Sequence, residues 1–162
     1  MPRVSGRHIY LASASGHSRK VSLAVVLAVE LPSRFTQPVD LIVDALLGYQ
    51  YTLRELPDDH TRLSVCDLIA WANENKAPVL SLDIPSGIDC ATGLPGSQGS
   101  YVRPRWTLCL GAPKTGLRAR ALSGELFLAD LGLPRVLWKR VGVPGWSVPP
   151  WGADYMIGLE YT

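Results

Sequence analysis

The sequence lacks the residue spacings that usually hold a transition metal or a disulfide framework. Its three cysteines, Cys66, Cys90 and Cys109, stand far apart, and its three histidines form neither an HxH nor an HxxxH pair. Disulfide-stapled secreted domains carry a dense, even set of cysteines, and zinc sites carry closely spaced ligands. We therefore expect free thiols in a reducing compartment and no zinc site.

Charge of one sign is also scarce, since 16 basic and 14 acidic residues leave a net charge of +2. A protein that binds nucleic-acid phosphates usually concentrates Lys and Arg on one surface, so nucleic acid is an improbable partner. We interpret the densest basic group as loop charge around a strand, and only weakly as an anion site. That group comprises Arg103, Arg105, Lys114, Arg118 and Arg120.

No apolar run has the length that a membrane span requires. The best candidate, VSLAVVLAVEL at 21–31, falls far short of the roughly 20 residues of a transmembrane helix and contains Glu30. It does not follow a signal-peptide layout either. We expect a soluble, cytoplasmic protein with no membrane partner and no evident mitochondrial leader.

What the sequence does contain is an alternation of apolar strands and helices, in a length suited to one domain. Near-continuous hydrophobic strands linked by helices are typical of a parallel sheet with right-handed crossovers. We predict an α/β fold, a Rossmann-like three-layer sandwich with a mainly parallel, doubly wound sheet. The predicted strands are 8–13, 39–47, 79–84, 107–113, 124–132 and, as a final edge strand, 155–162.

Three helices complete this prediction. The first begins at Ser15 or Ser18 and runs to about Glu30, before Pro32. The second, 61–76, begins after Asp58 or Asp59, and the third is 133–142. The expected inward face of the second helix consists of Leu63, Cys66, Ile69 and Ala70.

Polar segments follow three of the predicted strands, at 44–49, 83–89 and 111–116. In open parallel sheets, ligands bind beyond the carboxyl ends of the strands. Asp83 and Asp89 flank the turn Pro85-Ser86-Gly87, where a carboxylate can act as a general acid or base. The alternative is that Asp83 only accepts hydrogen bonds from the amides of the turn.

Asp44 lies within the apolar run LIVDALLG, where an unpaired carboxylate is costly to bury. It therefore needs a cation, several hydrogen-bond donors or an open strand end. If Asp44 and Asp83 occupy neighbouring strands, their carboxylates meet at one edge and, with Ser86, can bind Na⁺, K⁺ or Mg²⁺. Lys114 can contact a phosphate there, or it is a solvated loop lysine.

Four segments of the sequence are distinctive in their order and spacing: VDLIVDALLGY, APVLSLDIPSGIDCATG, LCLGAPKTGL and GELFLADLGLP. Together they resemble the YjeF N-terminal domain family, whose enzymatic members are NAD(P)H-hydrate epimerases and which includes the apolipoprotein A-I-binding protein.

The resemblance implies that Asp44 and Ser86 are ligands of potassium (K⁺). It further places Gly48, Tyr49 and Asp83 beside hydrated NADH or NADPH, and Lys114 is the candidate from the sequence itself for contact with the phosphates of this nucleotide. An acid/base residue, Asp83 or Asp89, is then expected to help interconvert the R and S forms of that substrate.

The family's Asn- and Gly-rich NNGGDG-like loop has no counterpart in the sequence. We therefore expect 1–162 to be one partial, N-terminally truncated YjeF N-terminal-like domain. A fragment, a mispredicted start and a degenerate paralogue stay open as explanations. The loop 49–60 also lacks the GTG pattern of many bacterial members, which leaves substrate contacts by 50–54 open.

A second hypothesis comes from the same resemblance. A related domain closes the enhancer-of-mRNA-decapping protein, where it serves as a non-catalytic dimerisation and RNA- or nucleotide-associated module. The segment AWANENKAPVLSLD also resembles that branch, and Trp138, Trp146 and Trp151 line an interface or pack in the core. A third hypothesis is an inert remnant whose exposed sheet edge favours a homodimer.

Overall fold

The computed structural model describes residues 10–13, 22–25, 40–96, 99–143, 151 and 154–161, the first two ranges by their backbone alone. These residues form a seven-stranded sheet. Its strands are β1 Tyr10–Ser13, β2 Ser22–Val25, β3 Leu41–Asp44, β4 Val79–Leu82, β5 Trp106–Leu110, β6 Glu125–Ala129 and β7 Met156–Leu159. The described helices are α1 Asp59–Glu74, α2 Arg120–Ser123 and α3 Arg135–Arg140, and a 3-10 turn spans Leu53–Glu55.

The sheet has the order β2-β1-β3-β4-β5-β6-β7. Strands β3 to β6 are parallel to one another, whereas β1, β2 and β7 are antiparallel to their neighbours. Because β3 to β6 are parallel, their carboxyl ends lie at the same edge of the sheet. The predicted α/β class with a mainly parallel central sheet is confirmed.

The predicted helix from Ser15 or Ser18 to Glu30 is wrong where the chain is described. Ser22–Val25 is strand β2, and its residues pair with Ser13–Tyr10 in antiparallel register. An antiparallel partner provides the backbone hydrogen bonds that a helix would have made internally, and the β-branched Val25 suits a strand. The rest of that predicted helix, with both proposed cap residues, lies outside the described residues.

The predicted strands are present: the first ends at Ser13 as expected, whereas the later ones end earlier than expected. Strand β3 ends at Asp44 instead of residue 47, because the Leu46 amide turns back and donates to Asp44 Oδ1 at 3.3 Å. After Leu82 and Leu110, a hydrogen bond from residue i+2 to residue i ends β4 and β5. The last strand is an edge strand, as predicted, although it covers only Met156–Leu159.

Helix α1 begins at the predicted place. Asp58 is its N-cap and accepts a hydrogen bond from the Thr61 amide at 2.7 Å. Its inward face differs from the prediction: Ile69 and Ala72 are buried, whereas Leu63 is 65% exposed. Ala70 is exposed as well. The buried face of the helix contains Ile69 and the half-buried Val65 and Cys66. Ala70 is only one residue beyond Ile69, but one residue turns a helix by about 100°, so its side chain faces solvent.

The third predicted helix is shorter than 133–142 and covers Arg135–Arg140, with Pro134 at its N-cap. The short α2 was not predicted. It is one turn that precedes β6 and ends at Gly124, whose φ of 67° is available to glycine at little cost.

One face of the central sheet carries most of the buried strand side chains. Alternate residues on this face include Ile42, Val79, Cys109, Leu126 and Leu128. Helix α1 covers the part around Ile42 and Val79. The buried polar side chains of Asp44, Ser81 and Thr107 lie on the same face. In the described part of the chain, no helix has the length and apolar character needed to cross a membrane.

Candidate functional site at the carboxyl edge of the sheet

Three adjacent parallel strands deliver polar groups to one edge. Asp44 ends β3 and pairs with Ser81 of β4, and Asp83 follows β4 directly. Gly111 follows β5, in the segment that leads to Lys114. The site predicted at 44–49, 83–89 and 111–116 is therefore assembled from consecutive strands of one sheet.

Asp44 is 2% exposed, and four donors surround its carboxylate. Ser81 Oγ donates to Oδ2 at 2.7 Å, and the Ser86 amide donates to the same oxygen at 2.9 Å. Oδ1 accepts from Ser86 Oγ at 2.7 Å and from the Leu46 amide at 3.3 Å. Several donors were one of the three arrangements expected for a buried Asp44, and they are the arrangement found.

Ser86 joins this network to the next turn of chain. Its hydroxyl donates to Asp44 and accepts from the Leu47 amide at 3.1 Å. Its carbonyl accepts from the Val102 amide at 2.9 Å. Gly87 has φ 95°, a left-handed conformation that favours glycine, and a Cβ there would collide with the Ser100 carbonyl. The Pro-Ser-Gly turn is thus packed tightly on both sides.

Asp83 has an unusual backbone conformation. Its φ is 72°, and the Ile84 amide donates to the Leu82 carbonyl at 2.9 Å, which makes Asp83 the centre of a γ-turn of the rare, positive-φ kind. Among the described residues, no other non-glycine residue has positive φ. Such strain is found at sites where the surrounding structure holds a side chain in place.

The side chain of Asp83 forms an ion pair with Lys114. Lys114 Nζ lies 2.5 Å from Asp83 Oδ1, and the Leu110 amide donates to the same oxygen at 3.0 Å. Lys114 also donates to the carbonyls of Leu110 and Ala112, both at 3.2 Å. Lys114 is therefore anchored in the structure, in contrast to the alternative of a solvated loop lysine.

The loop after β3 reaches this ion pair. Tyr49 is 56% exposed, and its ring centroid lies 5.5 Å from Lys114 Nζ, a cation–π distance. Gly48 precedes it with φ 61° and open space around its Cα. Of the residues predicted to contact the substrate, Tyr49, Asp83 and Lys114 are therefore brought together, with Gly48 next to them.

Asp89 lies apart from Asp44 and Asp83, in a turn of its own. Oδ1 accepts from the Thr92 amide at 2.7 Å, from the Thr92 hydroxyl at 2.8 Å and from the Ala91 amide at 3.0 Å. The hydrogen bonds from Thr92 hold the pKa of the Asp89 carboxyl below its usual value. Asp89 and Arg54 line a cleft of about 230 Å³, which neither Asp44 nor Asp83 lines.

A contact between two glycines holds the two site loops together. A Cβ on Gly93 would collide with the Gly116 carbonyl, and one on Gly116 would lie 2.5 Å from the Asp89 carbonyl. The Gly116 amide donates to the Cys90 carbonyl at 2.9 Å. Only residues without a side chain permit this approach.

The expectation that two acids converge on one pocket through the Pro-Ser-Gly turn is met only in part. Asp44 binds this turn through Ser86, while Asp83 binds Lys114, and among the described residues the two carboxylates share no hydrogen-bond donor. Ser81 was not predicted as part of the site. The signal that could have found it is a serine in the apolar strand VLSL, on the same face as Asp44.

Oxygen atoms dominate the Asp44 cluster, which suits a hard cation such as potassium. However, a carboxylate has about four acceptor positions, and the four donors around Asp44 take them all. A potassium ion fits at Asp44 and Ser86 only if hydroxyl hydrogen bonds are given up. The described residues contain no group of three or more His, Cys, Asp or Glu side chains that could hold a metal.

Comparison with known proteins identifies the family. A sequence model described as YjeF-related protein N-terminus matches residues 17–116, which include Asp44, the Pro-Ser-Gly turn and Lys114. The chain belongs to this family. The match confirms the resemblance of the chain to this family, and it covers the first two of the four sequence segments and nearly all of the third.

Relatives in the family have two kinds of name. An NAD(P)H-hydrate epimerase of Dehalogenimonas lykanthroporepellens is 36% identical over 98% of this chain and 57% of that protein. The bifunctional NAD(P)H-hydrate repair enzyme Nnr of Escherichia coli is 41% identical over 60% of the chain and 18% of its own length. Enhancer of mRNA-decapping protein 3 of Schizosaccharomyces pombe is 31% identical over 68% of this chain and 23% of its own length. The chain thus spans little more than half of the first relative and about a fifth of the others.

A solved structure supports the fold. The crystal structure of the yeast protein YNL200c matches with a TM-score of 0.54 and 22% identity, over 72% of this chain and 45% of that one. At this identity, the likeness concerns the architecture of the sheet and not the chemistry of the site.

Proposed function

We propose that this chain acts on hydrated nicotinamide nucleotides as an NAD(P)H-hydrate epimerase, interconverting their R and S forms. The observation that carries the proposal is the ion pair of Asp83 and Lys114 at the carboxyl edge of the sheet, within the segment shared with the family. The name of the relative from Dehalogenimonas, which aligns over nearly the whole chain, supports the substrate class.

The reaction needs little more than a movable proton. The carbon that changes configuration bears a hydroxyl next to a ring nitrogen, whose lone pair assists breakage of the C–O bond. The hydroxyl takes one proton and leaves as water, and water then adds from the opposite face and returns a proton. The overall reaction is an isomerisation without an oxidant or a reductant, and one acid/base group suffices for it.

We assign this proton transfer to the pair of Asp83 and Lys114. The Lys114 side chain is 21% exposed and that of Asp83 is 9% exposed, so a ligand at the edge reaches Lys114 first. Tyr49, whose ring lies beside the ammonium, is placed to border the same ligand. Asp83 fixes the ammonium and balances its charge.

Asp89 suits this acid/base role less well than Asp83 does. The Asp89 carboxylate is occupied by hydrogen bonds from Thr92 and Ala91 within its own turn, whereas Asp83 is paired with the partly exposed ammonium of Lys114. The position of Asp89 in the cleft beside Arg54 favours a binding role for the rest of the nucleotide.

Two further elements of the proposal concern the cation and the compartment. We retain Asp44 and Ser86 as ligands of a potassium ion. The ion binds when the serine hydroxyl groups no longer donate hydrogen bonds to the Asp44 carboxylate, and it takes no part in the proton transfer proposed above. We also place the protein in the cytoplasm, because its three cysteines are free.

The experiment is epimerisation of separately prepared S and R forms of hydrated NADH and NADPH, followed by chromatography. We expect the wild-type chain to accelerate equilibration, and Asp83→Asn and Lys114→Met to slow it by at least about 100-fold. Lys139→Met, a change of the same kind on exposed α3, is expected to have no effect. A wild-type chain that does not accelerate equilibration contradicts the proposed activity, and unchanged rates in both site variants contradict the residue assignment.

The matches to decapping enhancers favour a second candidate, a non-catalytic module that dimerises and associates with RNA or nucleotides. These matches cover 68% and 77% of the chain. Sedimentation of the wild-type chain together with an RNA-binding titration separates the candidates. A stable dimer that binds RNA and does not epimerise hydrated cofactor supports this second function over the first.

A further inference from the structure

A second cleft lies at the opposite edge of the sheet from the site described above. It has a volume of about 290 Å³ and lies among residues that precede β4 and β5. The lining includes Asn73, Asn75, Lys76, Arg103 and Arg105. Because β4 and β5 are parallel, the residues before them lie at the amino edge, whereas Asp83 and Lys114 lie beyond the carboxyl edge.

The charge of this cleft is positive. Three of its lining residues are cations, and none is acidic. Within the described residues, neither Lys76 nor Arg103 nor Arg105 forms an ion pair within 4.0 Å. The carbonyl end of α1 contributes roughly half a negative charge nearby, too little to neutralise three cations.

The side-chain acceptors that line the cleft are already hydrogen-bonded within the protein, whereas several side-chain donors are available to a ligand. Asn73 Oδ1 accepts from the Arg103 amide at 2.7 Å, and Asn73 Nδ2 donates to the Tyr101 carbonyl at 2.8 Å. Asn75 Oδ1 accepts from the Ala77 amide at 3.2 Å. The side-chain groups of the lining that make no described hydrogen bond are therefore N–H groups: the three cations and Asn75 Nδ2.

The position of the two arginines is fixed by their surroundings. Arg103 is held through its backbone by Asn73, and the Arg105 amide donates to the Val79 carbonyl at 2.9 Å. The Arg105 guanidinium lies over the Trp106 ring, with 4.7 Å between its central carbon and the ring centroid. An aromatic face accepts no N–H···O hydrogen bond from the edge of the guanidinium, and those N–H groups are the ones that arginine uses to bind phosphate.

We propose that this cleft binds the phosphate group of a small anionic ligand. Three cations with no ion pair among the described residues, several N–H donors and an arginine held over an aromatic ring together match the chemistry of a phosphate. The lining contains no aromatic residue on which a base could stack, which disfavours single-stranded RNA as the ligand. This site is separate from the proposed epimerase site, and its test requires no turnover.

The test is calorimetric titration of the full chain with inorganic pyrophosphate at low ionic strength. We expect saturable binding that weakens by at least about tenfold in Arg103→Gln/Arg105→Gln. The matched control is Lys139→Gln/Arg140→Gln, which removes the same charge from α3 and is expected to change the Kd by less than about twofold. The single variant Lys76→Gln is expected to weaken binding about threefold, and it serves if the double variant fails to fold.

Three results would overturn the proposal. The first is the absence of saturable binding of pyrophosphate by the wild-type chain. The second is an equal loss of affinity in the control variant, which indicates attraction to net charge alone. The third is an RNA oligonucleotide that binds and requires both arginines while pyrophosphate does not bind, which assigns the cleft to a nucleic acid.

Discussion

The ammonium of Lys114 and the carboxylate of Asp83 lie 2.5 Å apart, although 30 residues separate them in the sequence. The pair forms because β4 and β5 are parallel neighbours and each ends in a tight turn at the same edge. The Asp83 amide donates to the Leu108 carbonyl at 2.8 Å, which fixes the register of the two ends. A charge pair at the functional edge therefore depends on the alignment of two strands.

The first prediction concerns the contribution of this pair to stability. Lys114→Met leaves the nearly buried carboxylate of Asp83 without its cation, and we expect a loss of about 2 kcal/mol in the free energy of unfolding. Loss of one partner of a fully buried pair costs more, but Lys114 is partly in water. Urea unfolding measures the change.

Lys139→Met is the control for this change, since Lys139 lies exposed on α3. An equal effect of the two substitutions would show that the ion pair does not stabilise the fold. Asp83→Asn complements Lys114→Met, because asparagine tolerates the positive φ of this position better than other side chains do.

A second prediction concerns Asp44. In Asp44→Asn, an amide nitrogen faces donors that now have no charged acceptor, and we expect a loss of about 3 kcal/mol. Asp67→Asn on the exposed face of α1 makes the same chemical change outside any described contact, and we expect it to be nearly neutral. Chemical unfolding of both variants checks this, and a small effect at Asp44 would mean that its four hydrogen bonds contribute little.

A third prediction tests potassium at the same cluster. If Asp44 and Ser86 bind K⁺, the wild-type chain has a higher Tm in KCl than in NaCl at equal ionic strength. Ser86→Ala removes one ligand and is expected to abolish that difference. Equal Tm values of the wild-type chain in the two salts would contradict a potassium site at these residues.

A fourth prediction concerns the Pro-Ser-Gly turn. Gly87→Ala combines a positive φ with a collision against the Ser100 carbonyl, so we expect a loss of at least about 3 kcal/mol. Gly132→Ala also has positive φ, 65°, but its surroundings are open, and we expect about 1 kcal/mol. Thermal unfolding of both variants separates the cost of the positive φ, which both share, from the cost of the collision, which only Gly87→Ala has. Equal losses of stability in the two variants would exclude the collision.

A fifth prediction follows from the buried thiol of Cys109. Burial, together with the nearby negative charge of Asp83, raises the pKa of Cys109 to about 11 from 9.0. The folded state therefore holds the thiol proton more tightly than the unfolded state does. The resulting contribution to the free energy of unfolding is fully present below pH 9 and is lost as the pH rises toward 11. In Cys66→Ser/Cys90→Ser, the remaining thiol is expected to resist a disulfide reagent at pH 8 until denaturant is added. Rapid labelling in native conditions would contradict this burial.

Sequence patterns predicted the central strands, the start of α1 and the edge where the polar residues gather. These predictions succeeded because a continuous apolar run and a capping aspartate each determine the conformation of residues that are close to them in the sequence. The pattern failed at Ser22–Val25, where pairing with β1 decides the conformation, and at the inner face of α1, where neighbouring elements determine which stripe is buried. The positive φ of Asp83 also has no local signal.

The partners of the site residues were less predictable than their positions. The sequence placed Asp44 and Asp83 on neighbouring strand ends, but it did not show that serine hydroxyls surround one and a lysine the other. Those choices depend on where each turn points once the chain is folded. The cleft that joins Arg54 to Asp89 likewise arises from two loops that are distant in sequence.

The close approach of Gly93 and Gly116 sets a rule for engineering this protein. The loops after β4 and β5 meet there backbone to backbone, so a methyl group added to either one displaces both. Directed evolution that randomises one loop alone will recover glycine at that position and will sample new shapes only when the two loops are varied as a pair.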